Sequence, residues 1–318
     1  GRSSGSYFAH VMFNSDDYLR VRQYNNGSND FYYQTNRKFK DTSAWYHIVV
    51  GIDTTNSTVD DRIKIWVNGV RETSFSTSTQ PNSSLNTYFG MTNGGDGYPM
   101  YIGDDGAGGK YFDGIMADVY GVGNQQYDAS VFGSTDATTG IWKPNTSASV
   151  SFGSGVAGNF HLKFDNSANM GLDSSGQGNN WTTSGTIIQN KDTPSNSFAT
   201  LNPSLDVNNG MILSNAGSTA KGWDSGNHRF AGANPCVSSG KYYYEVKVTK
   251  AGSSPYCGII DAQSTLRRDN VYFVGSASGD NDSGYAVNMS GDIYHDNSST
   301  YATSIGSIST GDILGFAV

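Results

Sequence analysis

Glutamate is nearly absent from this sequence: Glu72 and Glu245 are the two that occur in 318 residues. Glycan hydrolysis usually needs a pair of carboxylates flanking one bond. Two glutamates so far apart in sequence, each on a strand-like stretch, do not make that pair. No aspartates in a D-x-D arrangement on a convincing strand replace them. Charge of either sign is scarce, at 15 % of residues, and the net charge is −8. The 20 lysines and arginines are scattered, which argues against a basic face for nucleic acid. Cysteine occurs twice, at Cys236 and Cys257. That is too few for a disulfide scaffold, and two buried free thiols are the expected state. His10, His47, His161, His228 and His295 lack metal-type spacing, and no serine sits in a G-x-S-x-G elbow. No apolar run approaches the roughly 18 residues of a membrane span. Apolar residues recur nowhere at helical spacing over the ten or so positions that a typical helix needs. No initiator Met opens the chain, and its last residues, GDILGFAV, end inside an apparent strand. Both features suggest a segment of something longer.

What is plentiful is glycine, with 40 residues, tyrosine, with 20, and a heavy load of Ser, Thr and Asn. Turn formers alternating with residues that suit a half-buried pleated surface predict an all-β protein. The length predicts two domains. The expected architecture is two antiparallel jelly-roll-like β-sandwiches joined by a Ser/Thr/Gly-rich linker.

Residues 45–50, WYHIVV, form a short apolar run suited to a buried strand. RIKIWVNGVRETSF follows after a turn-rich stretch, with Asn68-Gly69 between two β-rich runs. That dipeptide is the strongest short hairpin signal, because both turn positions require φ > 0. Ile63, Ile65 and Val67 then share one face, with Lys64 and Trp66 on the other. Residues 111–120, YFDGIMADVY, predict a further strand in which Ile115, Ala117 and Val119 alternate with their neighbours. Trp45 to Val49, Ile63 to Gly69 and Tyr111 to Val119, taken in order, resemble the laminin-G-like, concanavalin-A-like jelly roll, here over 1–133 with its opening strand missing. The same resemblance makes His47 a structural core histidine.

Residues 134–160 have the composition of a linker. The second sandwich is expected at 161–318. It opens at FHLKFD, and Asp173-Ser174-Ser175-Gly176 supplies a tight turn. In GKYYYEVKV, residues 240–248, Tyr242, Tyr244, Val246 and Val248 share one face. Gly240 to Val246 and Gly311 to Gly315 resemble the SPRY domain, truncated at its end. The whole order of modules, with Val131 to Pro144 and Asp192 to Pro203 between them, resembles large virion-associated proteins of marine tailed phages.

That resemblance implies a non-catalytic virion surface protein (tail, fibre or capsid decoration) serving assembly and adhesion to a host surface glycan. Its partners would be other virion proteins or copies of itself. Its location would be the virion surface, outside the cell. A cellular adhesin or lectin, and the binding part of a polysaccharide depolymerase, are the competing readings. Sugar binding needs exposed rings beside hydrogen-bonding groups. Tyr98 and Tyr101 with Asp96 and Asp104 are the candidates, with Tyr272 and Phe273 in a later loop region. Calcium is the one metal to weigh. Asp104 and Asp105, with Asp96 and Asp113 nearby, lie in a Gly-rich stretch that would suit its preference for oxygen ligands, although no EF-hand pattern is present. N-x-S/T sequons such as Asn56 and Asn297 are expected by chance in so Asn- and Ser-rich a chain.

Overall fold

In a computed structural model, the residues described are 2–4, 7–41, 44–85, 100–106, 109–153, 158–195, 198–202, 211–215, 217–222, 231–234, 239–252, 256–260, 284–295, 298–302 and 304–318. The protein is all-β, and its sheets are antiparallel. It divides into two compact units, Gly1–Lys40 with Ala44–Phe198, and Ala199–Val318 with Asp41–Ser43.

The first unit carries β1 (Arg2–Ser4), β2 (Tyr7–Phe13), β3 (Tyr18–Asn25), β4 (Ser28–Lys38), β5 (Ile48–Ile52), β6 (Ile63–Val67), β7 (Val70–Arg71), β8 (Phe75–Thr79), β9 (Val119–Gly121), β10 (Gly133–Thr135), β11 (Trp142–Pro144) and β12 (Phe160–Leu162). Strands β1-β2-β3-β4-β8 form one sheet and β5-β6-β7 another. Alternation decides which faces meet. Leu19 and Val21 on β3, with Phe31 and Tyr33 on β4, point inward and are buried. They pack against Ile63, Ile65 and Val67 on β6, with Phe39 beside them. Each such large side chain contributes about 1.5–3 kcal/mol on leaving water. Two polar residues on the inner face, Gln23 and Thr35, are also fully buried. They are satisfied locally: Gln23 donates to Asp30 at 2.8 Å, and the Thr35 hydroxyl donates to the Arg37 carbonyl at 2.8 Å.

The Asn68-Gly69 turn joins β6 to β7 as expected, with φ of 49° and 78°. Asn68 also ties the turn to the next strand's approach: its Oδ1 accepts from the His47 amide at 2.8 Å, and its own amide donates to the His47 carbonyl at 2.9 Å.

The second unit holds β13 (Thr200–Leu201), β14 (Met211–Ser214), β15 (Thr219–Gly222), β16 (Ala233–Asn234), β17 (Tyr243–Lys247), β18 (Tyr256–Ile259), β19 (Tyr285–Asn288), β20 (Ile293–His295), β21 (Ser298–Ala302) and β22 (Ile313–Ala317). Strands β18-β19-β20-β21 make a four-stranded sheet, and β17 pairs with β22 over Tyr243↔Ala317 to Lys247↔Ile313. Val248, Val287, Ile308 and Leu314 form the core, with Cys257 and Phe316 against it. The alternation read from GKYYYEVKV holds for Tyr244, Val246 and Val248, whereas Tyr242 is exposed.

Two expectations need correcting. Residues 134–160 do not behave as a joint: β10 pairs with β11, and Phe160↔Gly121 to Leu162↔Val119 bind β12 to β9 inside the first unit. The FHLKFD stretch therefore belongs to that unit, and the division falls near residue 198. Lack of charge made this segment look like a linker, but its aromatic side chains anchor it. The Trp142 ring lies over Gly69, where a Cβ would overlap it, and meets His47 in a tilted contact at 5.4 Å between centroids. Secondly, residues 111–120 contribute to a strand only from Val119, after an isolated bridge at Tyr111. His295 ends β20 and stacks on Tyr285 at 4.0 Å.

Gly69→Ala is expected to destabilise the first unit by at least about 1–2 kcal/mol, the cost of a left-handed L-residue before the overlap with Trp142 is added. Trp142→Ala should lower the same thermal unfolding midpoint. A midpoint unmoved by both changes would show that 134–160 is not packed on the hairpin.

Candidate functional site

The side of β3 that does not enter the core carries Tyr18, Arg20, Arg22 and Tyr24. Register brings further rings and cations beside them. Phe8 lies opposite Tyr24 and His10 opposite Arg22 on β2, while Tyr32 lies opposite Arg22 and Gln34 opposite Arg20 on β4. All of these are half-buried. The result is a stacked row across the outer face of the five-stranded sheet. His10 stacks on Phe8 at 5.3 Å, and Phe8 on Tyr24 at 5.1 Å. The Arg22 guanidinium lies 4.7 Å from the Tyr24 ring centre, 5.2 Å from Phe8 and 5.3 Å from Tyr32. Arg20 sits 5.4 Å from Tyr32, and the Lys38 ammonium 4.7 Å from Tyr18.

A stacked guanidinium is held by its face, and its N–H donors remain available in its plane. Each arginine has five such donors. Among the described residues, Arg20 gives one to Gln34 Oε1 at 3.0 Å and Arg22 gives one to Asn29 Oδ1 at 2.5 Å. The Gln34 oxygen is shared with the Tyr32 hydroxyl, 2.9 Å away. No described carboxylate makes an ion pair with either arginine. The local field is accordingly positive. Burial, followed by the charges of Arg20, Arg22 and Lys110, drives the His10 pKa down to about 4, so the imidazole is neutral at ordinary pH. Arg22 is itself pulled below its usual value, by burial first.

The residues singled out in the sequence fare differently. Asp96 and Tyr98 lie outside the described residues, as do Tyr272, Phe273, Cys236 and His228. Tyr101 is exposed, its ring lying over Gly106, and Asp104 accepts from the Gly106 amide at 3.0 Å. Asp104 also forms an isolated bridge with Tyr111. Asp105 and Asp113 lie in the same loop, but among the described residues no three His, Cys, Asp or Glu side chains converge as metal ligands would. Lys110 connects this loop with the stacked row, being near enough to His10 to depress it. Of the two glutamates, Glu72 pairs with Arg37 at 3.5 Å and accepts from the Ser74 amide, while Glu245 accepts from the Tyr243 hydroxyl at 2.9 Å. They lie in different units. Cys257 sits half-buried on β18, where burial pushes its thiol up.

A cleft of about 510 Å³ lies on the outer side of the smaller sheet, lined by Trp66, Lys64, Arg71, Gln126 and Tyr127 among others. Both of its cations are paired, because Asp61 bridges Arg71 at 3.0 Å and Lys64 at 3.5 Å. The unpaired arginines of the larger sheet therefore offer more to a polar ligand. The sequence held a signal for them that was missed. YLRVRQY, residues 18–24, alternates strictly, and the side opposite Leu19 and Val21 is Tyr, Arg, Arg, Tyr.

Residues 1–121 match a laminin G family model described as the concanavalin A-like lectin/glucanases superfamily. The stretch includes both facing sheets and the stacked row, so the first unit is similar to that superfamily where the candidate site lies. No curated protein and no solved structure matches the chain. No helix among the described residues is long and apolar enough to cross a membrane.

A histidine whose pKa is lower in the folded chain than in the unfolded one favours folding while it is neutral. That stability is complete above about 6.5 and is lost as pH falls through about 4. His47, also lowered by burial, acts in the same direction. His10→Phe should reduce the acid-induced loss of unfolding free energy between those limits by about 1–2 kcal/mol. Thermal melts across that range test this, and an unchanged dependence would show that His10 is not held neutral.

Proposed function

We propose that this chain is a non-catalytic carbohydrate-binding module of a virion surface protein, serving adhesion to a host glycan and assembly. The observation that carries the binding reading is the stacked row of Phe8, Tyr24 and Tyr32 around Arg20 and Arg22, on the outer face of a lectin-like sheet. Sugar rings offer apolar C–H faces to aromatic side chains and hydroxyls to fixed polar groups such as Asn29 and Gln34. The absence of catalysis is supported by the two glutamates, each engaged with its own neighbours in a different unit. Placement on a virion rests on the order of sequence modules, from the jelly roll through Val131 to Pro144 and Asp192 to Pro203 to the SPRY-like strands. Shallow sites of this kind bind weakly one at a time and strengthen when many copies act together.

The test is to present the chain as multimers to surface polysaccharides of candidate hosts, measuring binding and release of reducing ends. Binding without release is expected. Release that disappears when an aspartate is replaced would refute the non-catalytic reading. Absence of binding by the multimers would leave a purely architectural role.

A further inference from the structure

We infer that the outer face of the five-stranded sheet selects acidic sugars, holding a sugar carboxylate or sulfate on the paired guanidinium groups of Arg20 and Arg22. The inference rests on the carbohydrate reading above and names the class of sugar.

Arg20 and Arg22 are two residues apart on one face of β3, which places their backbones about 7 Å apart. Two cations so close repel one another. Four other cations in the first unit are paired, Arg37 with Glu72, Lys64 and Arg71 with Asp61, and Lys143 with Asp136, whereas Arg62 donates to backbone carbonyls instead. The sequence has 28 acidic residues with which to do the same here, yet among the described residues none pairs with Arg20 or Arg22. Neutral side chains, Gln34 and Asn29, take one donor from each and leave the charge uncancelled. The Nε of Arg20 is buried without a hydrogen-bond partner, so its internal hydrogen bonding is also incomplete.

An oxyanion is the ligand that answers the uncancelled charge. Guanidinium groups bind carboxylate and sulfate-like oxygens through parallel N–H donors, and such charge-assisted bonds are about twice as strong as neutral ones. A neutral sugar would leave the repulsion in place. A sugar bearing the anion uses the flanking rings of Phe8, Tyr24 and Tyr32 as well, which a small free anion does not. Lys110 and Lys38 add to the attraction at the margins of the row. The net charge of −8 on the whole chain makes the contrast sharper. A polyanion is repelled by most of this protein and has a reason to bind only here.

The experiment uses the full chain, presented as multimers, against four immobilised polymers: polygalacturonate, the same polymer with its carboxyls reduced, dextran sulfate and dextran. Poly-glutamate serves as an anion without sugar. Binding to polygalacturonate over its reduced form, or to dextran sulfate over dextran, supports the inference and tells which anion is read. R20Q and R22Q should each weaken that binding by about tenfold or more. R22K keeps the charge but loses the planar fork, and it should be weakened nearly as much. Circular dichroism and melting of each variant confirm that it folds. Equal binding to acidic and neutral polymers would overturn the inference and leave the carbohydrate reading intact. Binding to poly-glutamate as strong as to the acidic polysaccharides would overturn selection of a sugar. Binding to no polysaccharide would remove the carbohydrate reading itself. Variants that bind as well as the parent chain would move the site off this face and overturn the assignment.

Discussion

Ile63, Ile65 and Val67 fill the space between the two sheets of the first unit, and everything else in that unit is arranged by the need to keep them dry. Because side chains alternate along a strand, sending Leu19, Val21, Phe31 and Tyr33 toward β6 sends Arg20, Arg22, Tyr24 and Tyr32 the other way. A shift of register by one residue would put two guanidinium groups into the core, where an unpaired charge is prohibitively costly. The core thus fixes the position of the candidate site to within one pleat. The site needs no flexible loop to assemble it, and its side chains stand on strands locked by burial on the opposite face.

The same constraint explains why the third layer of contacts is aromatic. The Asn68-Gly69 turn closes the β6–β7 hairpin in a left-handed conformation, and the lack of a side chain at Gly69 leaves a flat patch of backbone. Trp142 covers it, His47 lies tilted against Trp142, and Phe132 lies against His47 and Tyr120. A glycine demanded by the turn therefore becomes a seat for the ring of Trp142, far later in the chain. This contact draws β10 and β11 onto the first unit, and pairing of β9 with β12 carries the chain on from there.

Much of this could be read from the residues. IKIWVNG announces a tight hairpin that forms with the expected faces, whereas WYHIVV, read as a buried strand, enters a strand only from Ile48 and is half-buried. GKYYYEVKV and GDILG likewise predict strands, which pair as β17 and β22. The boundary was not legible, because linker composition and a segment held by a few aromatic anchors look alike when charge is scarce. Trp142 and His161 are single residues with no periodic neighbours, and their partners lie far away in sequence. The candidate site was hidden for another reason. Arginine and tyrosine alternating with leucine and valine read as an ordinary amphipathic strand. Only pairing with β2 and β4 reveals that Phe8 and Tyr32 sandwich Arg22 and that no described carboxylate accompanies it.

A surface with 15 % charged residues must stay soluble through neutral polar groups, and that makes each uncancelled charge unusually visible. In a chain dense with lysine and glutamate, two arginines on one strand would be screened by neighbours and would say little. Here the surroundings are serine, threonine, asparagine and tyrosine, so the field of Arg20 and Arg22 extends with little competition until solvent ions damp it over about 8–10 Å. His10, beside them, is held neutral by burial first and by that field second. Repeated on a particle, such faces would present widely spaced positive spots on an otherwise acidic surface. Spots of that kind can hold an extended polyanion at several points while the intervening protein repels it, so that binding strength comes from the number of copies engaged and remains reversible at each one.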